Sequence, residues 1–147
     1  MCTERCLFNI LDSDAQLEKL RQIANVLKPE GYLLNDEGFA DGLRNYNKAR
    51  LECGLPEVKE AFHNKNFTTD EIFAEIRDLF IIVEDSQLGK YSIASNFLSS
   101  YHFVSRVLYP AWTKGEVVRN PEIAKFFSST DGELIYSTIQ AYFLQKK

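Results

Sequence analysis

Leu17, Leu20, Ile23, Ala24 and Leu27 recur at the three- and four-residue spacing that gives a helix one apolar side. Ser13 and Gln16 precede this run at the spacing of a capping box, and Pro29 with Gly31 interrupts it, which predicts a helix over about 14–27. Gly31 then opens a short apolar run, Tyr32-Leu33-Leu34, that closes on Asn35, Asp36 and Glu37. Such a run reads as a buried strand over about 31–36 with a polar C-terminal end. A helix followed within a few residues by a strand is the signature of an α/β arrangement.

The helical spacing returns from Asp41 to about Glu52, with Leu43, Tyr46 and Leu51 broadly on one side, Asn47 and Arg50 sharing much of it, and Gly54 as the stop. Residues 55–67 carry no period and read as loop. Thr68 and Glu71 repeat the capping-box pattern before Ile72, Phe73 and Ile76, predicting a helix over about 69–79, and Phe80-Ile81-Ile82-Val83 predicts a further buried strand. A longer helix is predicted from about Ala94 to Tyr109. Phe97, Leu98, Tyr101, Val104 and Leu108 form one of its stripes, Ser99, His102, Arg106 and Tyr109 another, and Pro110 ends it. Asn120 before Pro121 predicts a short capped helix over about 121–128, and the aromatic and β-branched stretch Leu134 to Leu144 a last strand before a basic Gln-Lys-Lys tail. No repeat or Gly/Ser-rich linker divides the chain, so one unit over 1–147 is expected.

Its 147 residues suit a single domain. With 17 Lys+Arg against 21 Asp+Glu the net charge is -4, the wrong sign for a surface that follows phosphate backbones, so nucleic acid is not an expected partner. Neither a secretory leader nor an apolar run long enough to span a bilayer is seen, and a cytoplasmic protein without a membrane partner is expected. The three cysteines are odd in number and unevenly spaced, and read as free thiols acting as small buried hydrophobes. Cys2-x-x-x-Cys6 opens like a radical-cluster site, but the position of a third thiolate is Asn9; the cysteines with His63 have no zinc spacing either, so no metal is expected.

Leu27-Lys28-Pro29-Glu30-Gly31 resembles the Leu-Lys-Pro-Gly-Gly turn that leads into the fifth strand of class I S-adenosylmethionine-dependent methyltransferases, with Glu30 in place of the first glycine. Upstream, Thr3-Glu4-Arg5-Cys6-Leu7-Phe8-Asn9 resembles the end of the fourth strand and the loop after it in one group of these enzymes. Downstream, Glu37-Gly38, Gly42-Leu43, Asn47, Arg50, Gly54-Leu55 and Phe62-His63-Asn64 follow in the same order. The resemblance covers nearly the whole chain. It implies the C-terminal half of a Rossmann-like methyltransferase sheet with helices on both faces, a helical insertion at about 90–130, and a last strand antiparallel to its neighbours, inserted between the fifth and sixth. The glycine-rich turn and the acidic strand end that hold the cofactor in that family have no counterpart here, since no Gly-x-Gly follows an apolar strand. The expectation is therefore a fragment with little activity alone. The alternative is a non-catalytic binding or self-assembling module, with a second copy covering the exposed sheet edge.

The resemblance places S-adenosylmethionine near Thr3, Glu4, Arg5 and Asn9, and a small organic acceptor near Glu37, Arg44, Asn47, Arg50, His63, Asn64, His102 and Arg106. His63 and Glu4 are its candidates for proton transfer, while Arg44 or Arg50 offers a two-pronged match to an acceptor carboxylate. Each has a plainer reading. Glu4-Arg5 suits an exposed ion pair, Asn47 and Arg50 a structural network, His63 a solvated loop, and His102 with Arg106 a solvated helix face. Phe97, Tyr101, Phe103, Tyr109 and Trp112 suit a lid over the acceptor or an ordinary core.

Overall fold

The structure, a computed structural model, describes residues 1–83, 101–115, 118, 121–127 and 138–147. Strand β1 (Cys2–Glu4) runs into a 3-10 turn (Leu7–Asn9), followed by α1 (Ser13–Val26), β2 (Tyr32–Gly38), α2 (Ala40–Glu52), α3 (Thr69–Ile76) and β3 (Phe80–Ile82). A π-helical turn (Val104–Leu108) leads into α4 (Tyr109–Trp112), and α5 (Glu122–Phe127) and β4 (Ile139–Lys146) complete the described elements. The strands form one mixed sheet in the order β1-β2-β4-β3, β1 parallel to β2 and β4 antiparallel to both β2 and β3. The last strand thus lies between two earlier ones, as expected.

Side chains alternate across a strand, so the register sorts the sheet into two faces. Leu33, Leu144 and Phe80 lie on one face and pack with Leu20 and Ala24 of α1 and Ile72 and Ile76 of α3 in the main core. Leu34 and Asp36 lie on the other. A second, smaller core joins Tyr46 and Ala49 of α2 to Val107 of the π turn.

Several boundaries differ from the expected ones for physical reasons. The cap of α1 is Asp12, whose Oδ1 accepts from Ala15 N at 2.8 Å, rather than the Ser13–Gln16 box. Gln16 is instead buried, its amide donating to the carbonyls of Leu7, Ile10 and Lys65 at 3.3, 2.9 and 2.7 Å. Thr68 makes no side-chain cap on α3; Thr69 N and Oγ1 both donate to Asp41 Oδ2 at the start of α2, and α3 is shorter than expected. Leu51 is 56% exposed, and Ala49 takes its place on the buried side of α2. All three cysteines are exposed, because Cys2 lies in the edge strand, Cys6 in the turn after it, and Cys53 at the end of α2.

Pro110 does not end its helix. It sits in the first turn of α4, where the π turn resets the bonding ladder by a Tyr109 N bond to Val104 O. Leu108 of the expected apolar stripe faces solvent, Val107 is fully buried, and Trp112 is 75% exposed. β4 continues through Gln145 and Lys146, which pair with Tyr32 and Ile81 and with Phe80, so the basic end belongs to the sheet. The expected positions Phe97, Leu98, Ser99, Asn120 and 134–137 lie outside the described residues.

The turn that carries the family resemblance holds Glu30 at φ +59°, a left-handed conformation that favours glycine. Lys146 O accepts from Glu30 N at 3.2 Å and fixes this turn to the end of β4.

Candidate functional site

In a sheet with parallel strands, ligands gather at the strands' C-terminal ends. Here that edge is formed by β1 and β2, with Glu4 in register with Asp36 and Arg5 N donating to Asp36 O at 2.8 Å. Arg5 adopts φ +50° as the chain leaves the strand. Its guanidinium binds Glu4 at 3.2 Å, and both side chains are exposed. Thr3 is buried, with its hydroxyl donating to Asn35 Oδ1 at 3.1 Å, and Asn9 donates its amide to Arg5 O at 2.9 Å. Of the four residues the resemblance assigns to the cofactor, Glu4, Arg5 and Asn9 are therefore exposed and Thr3 is not.

Glu37 is fully buried. Its Oε2 accepts from Leu7 N and Phe8 N at 3.0 and 3.2 Å, and its Oε1 accepts from Cys6 N at 3.3 Å and from the Cys6 thiol at 3.5 Å. The N–H groups at the start of a helical turn have no partners within the turn, and this carboxylate supplies them. Burial, with the Glu37 charge and hydrogen bond beside it, raises the Cys6 pKa, so the thiol is held protonated rather than activated. Glu37 shapes the loop after β1 and leaves no lone pair facing a ligand.

Asp36, one residue earlier, points to the opposite face. Its Oδ1 is sealed from solvent and has no hydrogen-bond partner. Burial, then the charge of Glu4, raise its pKa against the lowering pull of Arg5, with Glu37 adding to the rise. His102 is half-buried, and its pKa is pushed down to about 4 by burial first and by the charges of Arg106 and Arg5 next, so it is a neutral imidazole at pH 7. The field of Arg5 thus joins the ends of β1 and β2 to the helical segment at 101–112.

The other expected acceptor residues lie elsewhere. Asn47 clasps the loop, its Nδ2 donating to Val58 O and its Oδ1 accepting from Val58 N, both at 2.9 Å. Arg50 Nε donates to Pro56 O at 2.8 Å, and its Nη1 donates to Arg106 O. That second carbonyl is the one four residues before Pro110, whose ring nitrogen has no hydrogen to give it. Arg50 replaces the missing helical bond. Its guanidinium also sits 5.5 Å from the centre of the Tyr46 ring. Arg44 pairs with Asp41, so both guanidiniums proposed for an acceptor carboxylate have partners within the chain.

A depression of about 460 Å³ along α2 is bordered by Leu43, Arg44, Asn47, Leu51 and Glu57. A cleft of about 270 Å³ between α1 and α3 is lined by Leu17, Glu60, Lys65, Glu71 and Ile72. His63 is exposed beside Phe62, ring centres 5.0 Å apart, and makes no hydrogen bond. Asn64 lies half-buried with its Oδ1 unpartnered, and Arg106 is exposed. The structure thus brings together Glu4, Arg5 and Asp36, with His102 in the field of Arg5, and does not bring His63 to them.

Sequence reasoning missed the buried amides. Gln16 stands four and eight residues before Leu20 and Ala24, a polar residue in line with the core stripe, which was the available signal. Gln140, buried and accepting from Tyr142 Oη at 2.7 Å, carried none. Among the described residues no group of three or more His, Cys, Asp or Glu is placed to hold a metal ion, and no helix is long and apolar enough to cross a membrane. Compared with protein-family models, curated proteins and solved structures, the chain matches none.

Proposed function

We propose that this chain carries the C-terminal part of an S-adenosylmethionine-dependent methyl-transfer unit for a small organic acceptor. The observation that supports it most is the strand order β1-β2-β4-β3, in which the final strand turns back antiparallel between β2 and β3. That is the arrangement the sequence resemblance implied for strands four to seven. The polar strand ends at Glu4, Arg5 and Asp36 support it further.

The cofactor would supply an electrophilic methyl group on sulfur, and the residues present fit it in part. Glu4, Arg5 and Asn9 are exposed at and just beyond the end of β1 and are the side chains left to touch it, because Thr3 is buried on Asn35. The sequence offers no Gly-x-Gly turn to bring backbone N–H groups against the rest of the molecule. Methyl transfer depends mainly on aligning acceptor and donor, and at this edge that task falls to the loop held by Glu37.

Calorimetric titration of the purified chain with S-adenosylhomocysteine tests the reading. Weak saturable binding, in the millimolar range and diminished by Arg5→Ala, is expected; absence of any binding at millimolar ligand overturns it. A second reading, a self-assembling module without catalysis, is favoured by β1, which pairs only with β2 among the described residues.

A further inference from the structure

We infer that the cleft between α1 and α3 binds a small organic cation, a protonated primary amine carried on an apolar body, with the Gln16 carbonyl and the Glu71 carboxylate as its acceptors. The inference is independent of the methyl-transfer reading, because none of the residues assigned to cofactor or acceptor lines this cleft.

Gln16 lines the cleft and is only 2% exposed. Its Nε2 donates to the carbonyls of Leu7, Ile10 and Lys65, three acceptors that only the nitrogen end of an amide can serve, so the orientation of the group is fixed. The oxygen end is left over. Oε1 accepts no hydrogen bond within the chain, yet it is not sealed from solvent, and the opening beside it is this cleft. A nearly buried amide oxygen held in one orientation without a donor is costly, and a ligand N–H completes it.

The rest of the lining fixes the ligand's chemistry. Leu17, Leu43, Phe67 and Ile72 supply apolar walls, while Glu60, Glu71 and Glu75 stand against Lys65 as the cation among them. Glu75 is shared with Arg21 at 3.5 Å, and Glu60 Oε1 accepts from Asn66 N. The Glu71 carboxylate has no partner among the described residues, because the expected capping box with Thr68 does not close. Even with Glu75 set against Arg21, Glu60 and Glu71 outweigh Lys65, so an anion is excluded. A neutral alcohol would serve Gln16 and leave Glu71 unpaired. A bare metal ion gains nothing from the apolar walls, and among the described residues no three His, Cys, Asp or Glu converge to hold one. An ammonium on a hydrocarbon body meets both the acceptors and the walls. The volume of about 270 Å³ lies just under the ~300 to 1,000 Å³ of ordinary ligand pockets, which limits that body to a single ring or a short chain.

Heteronuclear NMR titration of the full chain with phenethylammonium chloride tests this, with 2-phenylethanol as uncharged isostere, 3-phenylpropanoate as anion and ammonium chloride as the charge without the body. Saturable shifts are expected with phenethylammonium at the Gln16 side-chain amide and at Leu17 and Glu71, with binding at least about tenfold tighter than for the other three compounds and about tenfold weaker in Glu71→Gln. Binding of the alcohol, the anion or ammonium alone as tight as that of phenethylammonium would overturn the site. So would shifts that spare the Gln16 side-chain amide, shifts that do not saturate, or a folded Glu71→Gln variant that binds like the parent. Glu71 is exposed in the first turn of α3, and should its variant nevertheless unfold, the comparison of charged and uncharged compounds on the parent decides alone.

Discussion

Replacing Glu37 by alanine would leave the N–H groups of Cys6, Leu7 and Phe8 without their acceptor beneath a closed sheet face. Three donors stranded in this way cost about 3 to 5 kcal/mol, whereas Glu37→Gln keeps one acceptor oxygen and should cost about 1 to 3 kcal/mol. Chemical denaturation of the two variants checks the order; equal stability of both with the parent would show that the turn finds other acceptors. His102 gives a second expectation at this scale. Its folded pKa of about 4 lies below the ordinary value of 6.5 because burial, and then Arg106 and Arg5, penalise the imidazolium. The unfolded chain therefore binds the proton first as pH falls, so the stabilisation is full above pH 6.5 and is lost progressively between there and about 4. A loss of about 3 kcal/mol is expected across that window. Thermal melts from pH 7 to 4 should show a fall that His102→Gln flattens, and parallel curves for the two proteins would contradict the assignment.

Arg50 acts between elements. It joins α2 to the loop at Pro56 and to the carbonyl that Pro110 leaves unbonded, so Arg50→Ala should destabilise the fold by about 1 to 3 kcal/mol, with Arg50→Lys restoring part of it because an ammonium cannot span both carbonyls. Calorimetric melting of the pair is the measurement, and an alanine variant that melts like the parent would rule out the tie. The elements themselves were largely legible. The spacing of Leu17, Leu20, Ala24 and Leu27 and the short runs at Leu33 and Phe80 report burial directly, and burial sets helix and strand. The joints were not. Asp41 caps α3 across 28 positions of sequence, and the π turn around Val104–Leu108 inserts a residue that leaves no mark on the spacing, which is why Leu108 and Val107 exchanged places. At the candidate site, Asp36 was legible because it ends the apolar run that opens at Gly31, whereas Glu4 and Arg5 were singled out by the family resemblance alone. The engagement of Glu37, Asn47 and Arg50 was not, since a polar residue near a core looks the same in sequence whether it holds a ligand or a backbone carbonyl.

For the whole molecule the sheet edge decides what the chain does in solution. β1 contributes three residues, pairs with β2 alone among the described residues, and so presents one row of backbone groups without a strand partner. Met1, Cys2 and Tyr32 near that edge are exposed, and Ile81 and Ile82 are exposed at the opposite edge strand β3. Open edges next to exposed apolar side chains invite pairing with another chain. The short length of β1 limits how much such pairing gains, and the Glu4–Arg5 pair at its end disfavours extension in that direction. Self-association should therefore be reversible and dependent on concentration, with lysine at Cys2, on the exposed edge, weakening it more than lysine at Ile81 if β1 is the contact. Light scattering of the chain and of Cys2→Lys and Ile81→Lys over a hundredfold range of concentration distinguishes the edges. A parent that remains monomeric throughout would show that three residues of open strand are too few to recruit a second copy, and would leave the proposed methyl-transfer reading as the one to pursue.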